Sequence, residues 1–274
     1  MKHSKTYTIS ILILALLPFA LTNCEEVMKD FELKKTQAQI VIDAQCSSFT
    51  NTAIVKITKT GDYMNPGEYP KVSDAIVTLS FNDTTIVLPE EFPGEYYKYH
   101  NFPENTLYTI SVTIDSKVYT AQSFMPKKVE LTNLSYRVSE YSSYMQTYPG
   151  ELFYVSKMEF LDPQNETNYY RIKITKNDTL FKSANDILLT DDIYFNSDTI
   201  EYEPFYFFKT NDRVTFEFMS IDKANYLYYT TLVQAMTSTG NFSVPDNPTS
   251  NFTGKVLGRF IAYSSDTLSI RISE

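Results

Sequence analysis

The stretch LYTISVTIDSKVYTA, residues 107–121, decides the fold class. Between residues 107 and 114, apolar or aromatic side chains alternate with hydroxyl side chains, as in a strand with one buried face. Residues 115–117 (DSK) supply a turn, and a second strand pattern follows from Val118. The stretch therefore predicts a β-hairpin.

Similar period-two runs recur outward from this hairpin. They lie at residues 54–58, 75–81, 170–174, 214–218 and 268–272. Asn, Asp, Pro and Gly separate them. Many short strands with such punctuation predict a mainly β protein built of antiparallel sandwiches or barrels.

One segment has helical spacing instead. Residues 220–236 read SIDKANYLYYTTLVQAM, with Tyr226, Tyr229 and Val233 on one face. Asp222 or Ser220 can act as the N-cap. We predict a helix over about 222–237 that covers an open end or face of a sheet, with its aromatic stripe in the core.

The chain divides into two predicted antiparallel β domains. Residues 125–128 (MPKK) follow the hairpin, and a proline cannot continue a central ladder. The first domain is predicted to span 37–125. The second, at 126–274, is a β-sandwich or barrel with the covering helix.

The N-terminus predicts export and a lipid anchor. Lys2 and Lys5 precede an apolar run at 9–21 that is short for a membrane span, so residues 1–23 read as a signal peptide. Residues 21–24 (LTNC) resemble the lipobox of bacterial lipoproteins, in which the cysteine, here Cys24, receives acyl chains such as palmitate. The alternative is an ordinary signal peptide with an incidental cysteine.

Residues 24–36 are then the lipidated cysteine and a tether. Glu25 and Glu26 resemble the acidic export signal that sends Bacteroidetes lipoproteins to the cell surface. The alternative is a solvated acidic linker. We expect a lipid-anchored protein of the outer membrane.

Composition excludes some functions and leaves others without support. The net charge of −9, from 24 basic and 33 acidic residues, disfavours nucleic-acid binding. Beyond residue 24, Cys46 and His100 are the remaining cysteine and histidine, so a Cys–His or Ser–His site rests on one candidate base. The pairs Glu90–Glu91 and Glu201 with Glu203 could serve glycoside hydrolysis, but sequence does not give their separation. We expect no enzyme, catalytic residue, cofactor or metal site.

Two tyrosine-rich segments are candidate binding surfaces for a partner protein, glycan or peptide. They are residues 96–100 (YYKYH) and 202–208 (YEPFYFF). Core packing is the alternative, since strand alternation buries some of these rings. The candidate surface residues are Tyr96, Tyr97, Tyr99, Tyr202, Phe205 and Tyr206.

Four Asp-Thr pairs resemble the O-glycosylation acceptor motif of Bacteroidetes. The alternative is that Asp-Thr begins a strand after a turn. A turn is also where a glycan can be accommodated. The candidate acceptors are Thr84, Thr179, Thr199 and Thr267.

Three motifs near the C-terminus occur in a specific order. They are SIDKANY at 220–226, NPTSNFTG at 247–254 and GRFIAYS at 258–264. In this order they resemble the Bacteroidetes lipoprotein family DUF4249. Weaker similarity covers residues 70–75, 106–110 and 119–121, so the resemblance spans nearly all of the chain after the signal peptide.

The resemblance implies a fold and a cellular context. The family's first domain is similar to immunoglobulin or carboxypeptidase-regulatory sandwiches, which implies an immunoglobulin-like β-sandwich at 37–125. Its context is similar to that of outer-membrane lipoproteins encoded beside TonB-dependent transporters. The leading hypothesis is thus a non-enzymatic accessory or substrate-binding partner of such a β-barrel transporter. A surface structural or adhesive lipoprotein of immunoglobulin-like modules is the alternative, and a carboxylate-based hydrolase ranks third.

Overall fold

The computed structural model describes residues 37–61, 67, 69–164, 166–193, 195, 199–238 and 246–273. The predicted signal peptide, Cys24, Glu25, Glu26 and the tether to residue 36 lie outside the described residues. The described residues from 38 onward form one compact unit. The unit is mainly β, as the sequence predicts.

The strands follow one another through the chain with few helical interruptions. In the described residues they are β1 (Ile40–Ser47), β2 (Thr52–Lys59), β3 (Ile76–Phe81), β4 (Thr84–Leu88), β5 (Glu90–Phe92), β6 (Glu95–Tyr99), β7 (Thr106–Ile114), β8 (Lys117–Met125), β9 (Leu131–Val138), β10 (Tyr154–Leu161), β11 (Tyr169–Lys176), β12 (Thr179–Leu180), β13 (Leu188–Asp191), β14 (Thr199–Tyr202), β15 (Arg213–Ile221) and β16 (Leu257–Arg271). The helices are α1 (Ser142–Met145), a 3-10 turn at Ala184–Asp186, and α2 (Lys223–Thr237).

These strands form three sheets. The largest has nine strands in the order β12-β11-β15-β16-β1-β2-β6-β5, with β13 also paired to β11. A second has the order β4-β3-β7-β8, and a third the order β14-β10-β9. Among the described pairings, β1 with β16 is parallel and the others are antiparallel.

The predicted hairpin is confirmed as β7 and β8. Their two-residue turn has both central residues, Asp115 and Ser116, at positive φ (47° and 65°). This backbone matches the twist of the flanking strands. Ser111 pairs with Thr120, so the alternation places hydroxyl side chains of both strands on one face.

The first core lies between two sheets. Buried side chains of β1, β2 and β6 in the nine-stranded sheet pack against those of β3, β7 and β8. Ile42, Val55, Leu79 and Ile110 are almost fully buried there. This arrangement is a β-sandwich.

The second core lies beside the first along the same large sheet. The three-stranded sheet packs on one face of β11, β15 and β16, where the ring centroids of Phe160 and Phe218 are 4.4 Å apart. Helix α2 packs on the opposite face through Tyr229, against Ile261 and Tyr263. The predicted covering helix is therefore present. Among the described residues, no helix is both long and apolar enough to cross a membrane.

Strand β16 serves both cores. Phe260 and Ala262 belong to the first core, and Leu268 and Ile270 pack against the second. The predicted division at 125/126 falls at the end of β8, while β16 pairs with β1 of the first region and β15 of the second. The division into two domains stays a prediction, and the structure adds that the two regions share a sheet.

Candidate functional site

An open groove lies on the outer face of the three-stranded sheet. It encloses about 440 Å³, and its lining includes Arg137, Val155, Lys157, Glu201 and Glu203. These positions face outward because their strand neighbours, such as Leu134, Met158 and Tyr202, pack toward the second core. The volume lies within the range of small-molecule sites.

The groove continues toward an aromatic rim. An adjoining cavity of about 70 Å³ shares Arg137, Val155 and Glu203 with the first and is also lined by Tyr141 and Phe205. Val155 is only 5% exposed although it points away from the core, so it forms a floor beneath its neighbours.

Charged side chains that pair with one another form the walls of the groove. The Arg137 guanidinium donates two hydrogen bonds to Glu203, from Nη2 to Oε1 at 2.7 Å and from Nε to Oε2 at 3.2 Å. Lys157 Nζ lies 2.8 Å from Glu201 Oε1 and 3.4 Å from Glu159 Oε1. The hydrogen bond to Glu201 raises the pKa of Lys157. The groove thus offers cationic donors and anionic acceptors side by side, which suits a ligand rich in hydroxyl or amide groups.

The rim consists of Tyr141, Phe205 and Phe207. The Phe205 ring lies 5.9 Å from Tyr141 and 4.8 Å from Phe207, and both pairs meet edge to face. Phe205 remains 74% exposed and Tyr141 53%. Exposed rings beside a polar groove can bind the apolar face of a ligand.

Hydrogen bonds hold the loop that carries Tyr141. The backbone N–H of Ser139 donates to the Phe153 carbonyl at 2.8 Å, and the N–H of Phe153 donates to Ser142 Oγ at 2.9 Å. Glu151, which is 6% exposed, accepts from Lys209 Nζ at 2.6 Å and from the Thr147 N–H at 2.9 Å. The Lys209 hydrogen bond, followed by that from Thr147, lowers the pKa of Glu151.

The predicted segment 202–208 divides between this rim and the core. Phe205 lines the groove as an exposed ring. Tyr202 and Tyr206 are half-buried and pack against the second core. The Tyr206 ring stacks on Phe181 at 5.1 Å, and its hydroxyl donates to Asp186 at 2.6 Å.

The predicted segment 96–100 lies in another sheet, and the structure corrects one of its residues. Tyr96 is 1% exposed, with its hydroxyl accepting from the Ala75 N–H at 2.9 Å, so it is a core residue and not a surface one. It sits opposite the buried Val55, whereas Tyr97 and Tyr99 point outward. The exposed rings of β6 are therefore separate from the groove.

The predicted acceptor threonines occupy different settings. Thr84 and Thr179 are exposed at the starts of β4 and β12, each after a two-residue turn at positive φ, and Thr199 begins β14. Thr267 is instead within β16, opposite Glu217, so the expectation of a turn there is wrong. The sequence Asp-Thr does not by itself start a strand. Glycosylation of these residues stays a prediction.

The groups considered for catalysis have structural contacts. Cys46 is fully buried, which raises the pKa of its thiol well above the usual value. The His100 ring lies 5.7 Å from both Phe81 and Phe102. Glu90 accepts from the N–H groups of Asp74 and Gly94, and these bonds lower its pKa. In the part of the chain that the structure describes, no three His, Cys, Asp or Glu side chains are grouped to hold a metal ion.

Reasoning from sequence named Glu201 with Glu203 as a carboxylate pair but missed the other groove residues. Arg137 lies on β9, and Val155 and Lys157 lie on β10, where charged and apolar side chains alternate over residues 157–160. That alternation was a usable signal for an outward face. It did not show that β14 lies beside β10 and brings Glu201 and Glu203 to the same face.

The three C-terminal motifs meet elsewhere, at a junction formed by Ser123, Asp222, Asn225, Asn251 and Phe260. Asp222 accepts from Ser123 Oγ at 2.7 Å, from the Phe124 N–H at 2.9 Å and from the Asn225 N–H at 2.8 Å. Asn225 and Asn251 both donate to the Phe260 carbonyl, at 3.0 and 2.8 Å. The junction therefore ties β8, the start of α2 and β16 together.

Comparison with known proteins gives two results. No curated protein matches the chain. A family model described as a domain of unknown function, DUF4249, matches residues 28–269. This match includes the junction and the groove. The chain therefore belongs to the DUF4249 family.

Proposed function

We propose that this chain is a non-enzymatic lipoprotein of the outer membrane that binds a ligand or partner through the groove on the three-stranded sheet. In this proposal it acts at the cell surface as an accessory or substrate-binding partner of a TonB-dependent transporter. The ligand is a glycan or a peptide, because both offer polar groups for the charged walls and apolar faces for the rim.

One observation carries the binding role. Arg137 and Glu203 form a bidentate pair above the buried Val155, and the exposed Phe205 lies at one end of the same groove. A ligand can bond to the outer atoms of the pair and contact the ring without burying an unpaired charge. The bonds that fix the rim loop reduce the ordering cost of binding.

The location and the transporter role have separate support. The sequence LTNC at 21–24 resembles a lipobox, and Glu25 and Glu26 follow it. The resemblance described under Sequence analysis implies a context similar to that of lipoproteins encoded beside TonB-dependent transporters. These supports are independent of the groove, so the anchor and the binding site can be tested separately.

The test is cross-linking of the full-length protein in native outer membranes, followed by mass spectrometry of partners and bound glycans or peptides. We expect a β-barrel transporter or a defined ligand with the wild type, and its loss with Phe205→Ala and with Arg137→Ala. Phe92→Ala is the matched control, since Phe92 is 70% exposed in a different sheet. Equal capture of the partner or ligand by all four proteins would refute the groove as the binding site.

The surface adhesive role is the alternative outcome. It predicts that protease added to intact cells cleaves this protein. It also predicts that the cross-linked fraction contains no β-barrel transporter. Cys24→Ala tests the anchor separately, because loss of the acyl chains should release the protein from membranes. An unchanged membrane fraction would contradict the lipid anchor and leave the groove test intact.

A further inference from the structure

The outer face of the four-stranded sheet has a regular and uncharged pattern. The registers of β4, β3, β7 and β8 place its outward residues in four rows across the strands. The rows are Ile76, Thr113 and Val118; then Val87, Thr78, Ser111 and Thr120; then Thr85, Ser80, Thr109 and Gln122; then Leu107 and Phe124. We call this surface the hydroxyl face.

No residue in these rows carries a charge, although the chain has a net charge of −9. The outer face of the three-stranded sheet shows the contrast, because Arg137, Lys157, Glu159 and Glu201 all point outward there. Two copies of an acidic protein repel one another over most approaches. The hydroxyl face can meet another copy without placing like charges in contact.

The neighbouring edge of this sheet is already occupied. The N–H of Thr253 donates to the Thr120 carbonyl at 2.7 Å, and the Thr120 N–H donates to Thr253 Oγ1 at 2.9 Å. Phe252 forms a bridge with Ala121. Residues 252–253 thus use part of the β8 backbone, so contact through the face is favoured over strand addition at that edge.

The outermost rows are the apolar ones. Ile76, Val118, Leu107 and Phe124 are 63%, 57%, 50% and 40% exposed. The two middle rows are mainly hydroxyl-bearing. A two-fold rotation about an axis in the plane of the sheet therefore brings apolar rows onto apolar rows and hydroxyl rows onto hydroxyl rows, as an interface between identical surfaces requires.

We propose that the hydroxyl face binds the same face of a second copy of this chain, forming a symmetric and weak dimer. Four strands about 4.8 Å apart and seven residues long give roughly 400 Å² per copy. The total buried area is then about 800 Å², below the size of stable complexes and within that of transient ones. The dimer forms at high concentration and dissociates on dilution.

The test is sedimentation velocity of the full chain, with Cys24→Ala in every sample, from about 10 μM to about 1 mM. We expect the wild-type face to give a dimer that increases with concentration. Ser111→Glu and Ser111→Lys should each stay monomeric, because Ser111 lies near the centre and meets its own symmetry mate closely. An equimolar mixture of the two should dimerise again through opposite charges.

Ser269→Glu is the matched control, an exposed serine on an outward strand position of the nine-stranded sheet, and it should dimerise like the wild type. Gln122→Glu and Gln122→Lys repeat the test at an exposed position if the Ser111 variants do not fold. A wild type that stays monomeric up to about 1 mM overturns the proposal. Two other results also overturn it: Ser111→Glu dimerises in the absence of Ser111→Lys, or the equimolar mixture of the two stays monomeric.

Discussion

The junction and the groove use polar side chains in opposite ways. At the junction, Ser123 and Asn225 are 1% exposed and their hydrogen bonds join three elements. In the groove, the side chain of Arg137 is 51% exposed and Glu203 is its partner on the surface. A polar group buried at the junction stabilises the fold only while its partners are present, whereas one in the groove keeps access to water and ligand.

This difference separates the residues that identify the family from those that could bind a ligand or partner. The three motifs that carry the resemblance meet at the junction, where side chains of the first two bind the backbone of the third. The groove lies on β9, β10 and β14, outside these motifs. A motif recognised in sequence can therefore specify a fold without locating a site.

The largest effect is expected from Gly258→Ala, within the third motif. Gly258 has φ +98°, and a Cβ there would lie 2.0 Å from the Ile42 carbonyl oxygen. The parallel pairing of β1 with β16 must then separate, and we expect a loss of at least about 4 kcal/mol in the free energy of unfolding, or failure to fold. Urea denaturation followed by circular dichroism measures it.

Gly150→Ala is the control for Gly258→Ala. Gly150 also has positive φ, +87°, but nothing lies within 4 Å of the added Cβ. We expect a loss of about 1 kcal/mol from backbone strain alone. Equal losses for the two substitutions would show that the close approach to Ile42 is unimportant.

The next effect is expected from Asp222→Ala at the junction. This change removes the N-cap of α2 and leaves donors of Ser123 and Phe124 without their acceptor. We expect a loss of about 3 kcal/mol, from the cap and the uncompensated donors together. Lys223→Ala, at the exposed neighbouring position, should change stability by less than about 0.5 kcal/mol. A similar small change for Asp222→Ala would contradict the structural role of the junction.

Local features of this fold were predictable from sequence. The helix predicted at about 222–237 is observed at Lys223–Thr237, because its cap and its apolar spacing lie within the segment itself. The β7–β8 hairpin was predictable for the same reason. The burial of Tyr96 was not predictable. Tyrosines occupy both faces of β6, and a period of two does not show which face is buried.

The pairing of strands that are distant in the chain could not be predicted from the sequence pattern. The register joins Ala44 to Phe260 in a parallel pair across more than two hundred residues, and no local pattern encodes that choice. The groove depends on a similar pairing, of β14 with β10. Phe205 was predicted as a surface ring and Glu201 with Glu203 as a carboxylate pair. That Arg137 and Lys157 lie beside them could be seen only once the strand order was known.

Glu151 beside the groove should make stability depend on pH. Its pKa is lowered in the folded protein, so the stabilisation is present above the ordinary glutamate pKa of about 4.3 and is lost as pH falls through the lower folded value. Glu151→Gln should therefore differ from the wild type by a constant amount above about pH 5 and by less at lower pH. Urea denaturation from about pH 3 to about pH 7 measures this difference.

Lys209→Met provides the matching control, because Lys209 is the main cause of the lowered pKa. In that background, the pH-dependent part of the Glu151→Gln effect should shrink. If it keeps its full size, the Thr147 N–H and not Lys209 determines the behaviour of Glu151.

The smallest effect on stability is expected from Arg137→Ala in the groove. The pair with Glu203 is half-exposed, and exposed ion pairs contribute little because water and salt screen them. We expect a change of less than about 0.5 kcal/mol in the free energy of unfolding, together with loss of captured ligand in native membranes. A loss as large as that of Asp222→Ala would place Arg137 with the junction as a structural residue. Unchanged stability with unchanged capture would remove the groove as the binding site while leaving the fold and the lipid anchor unaffected.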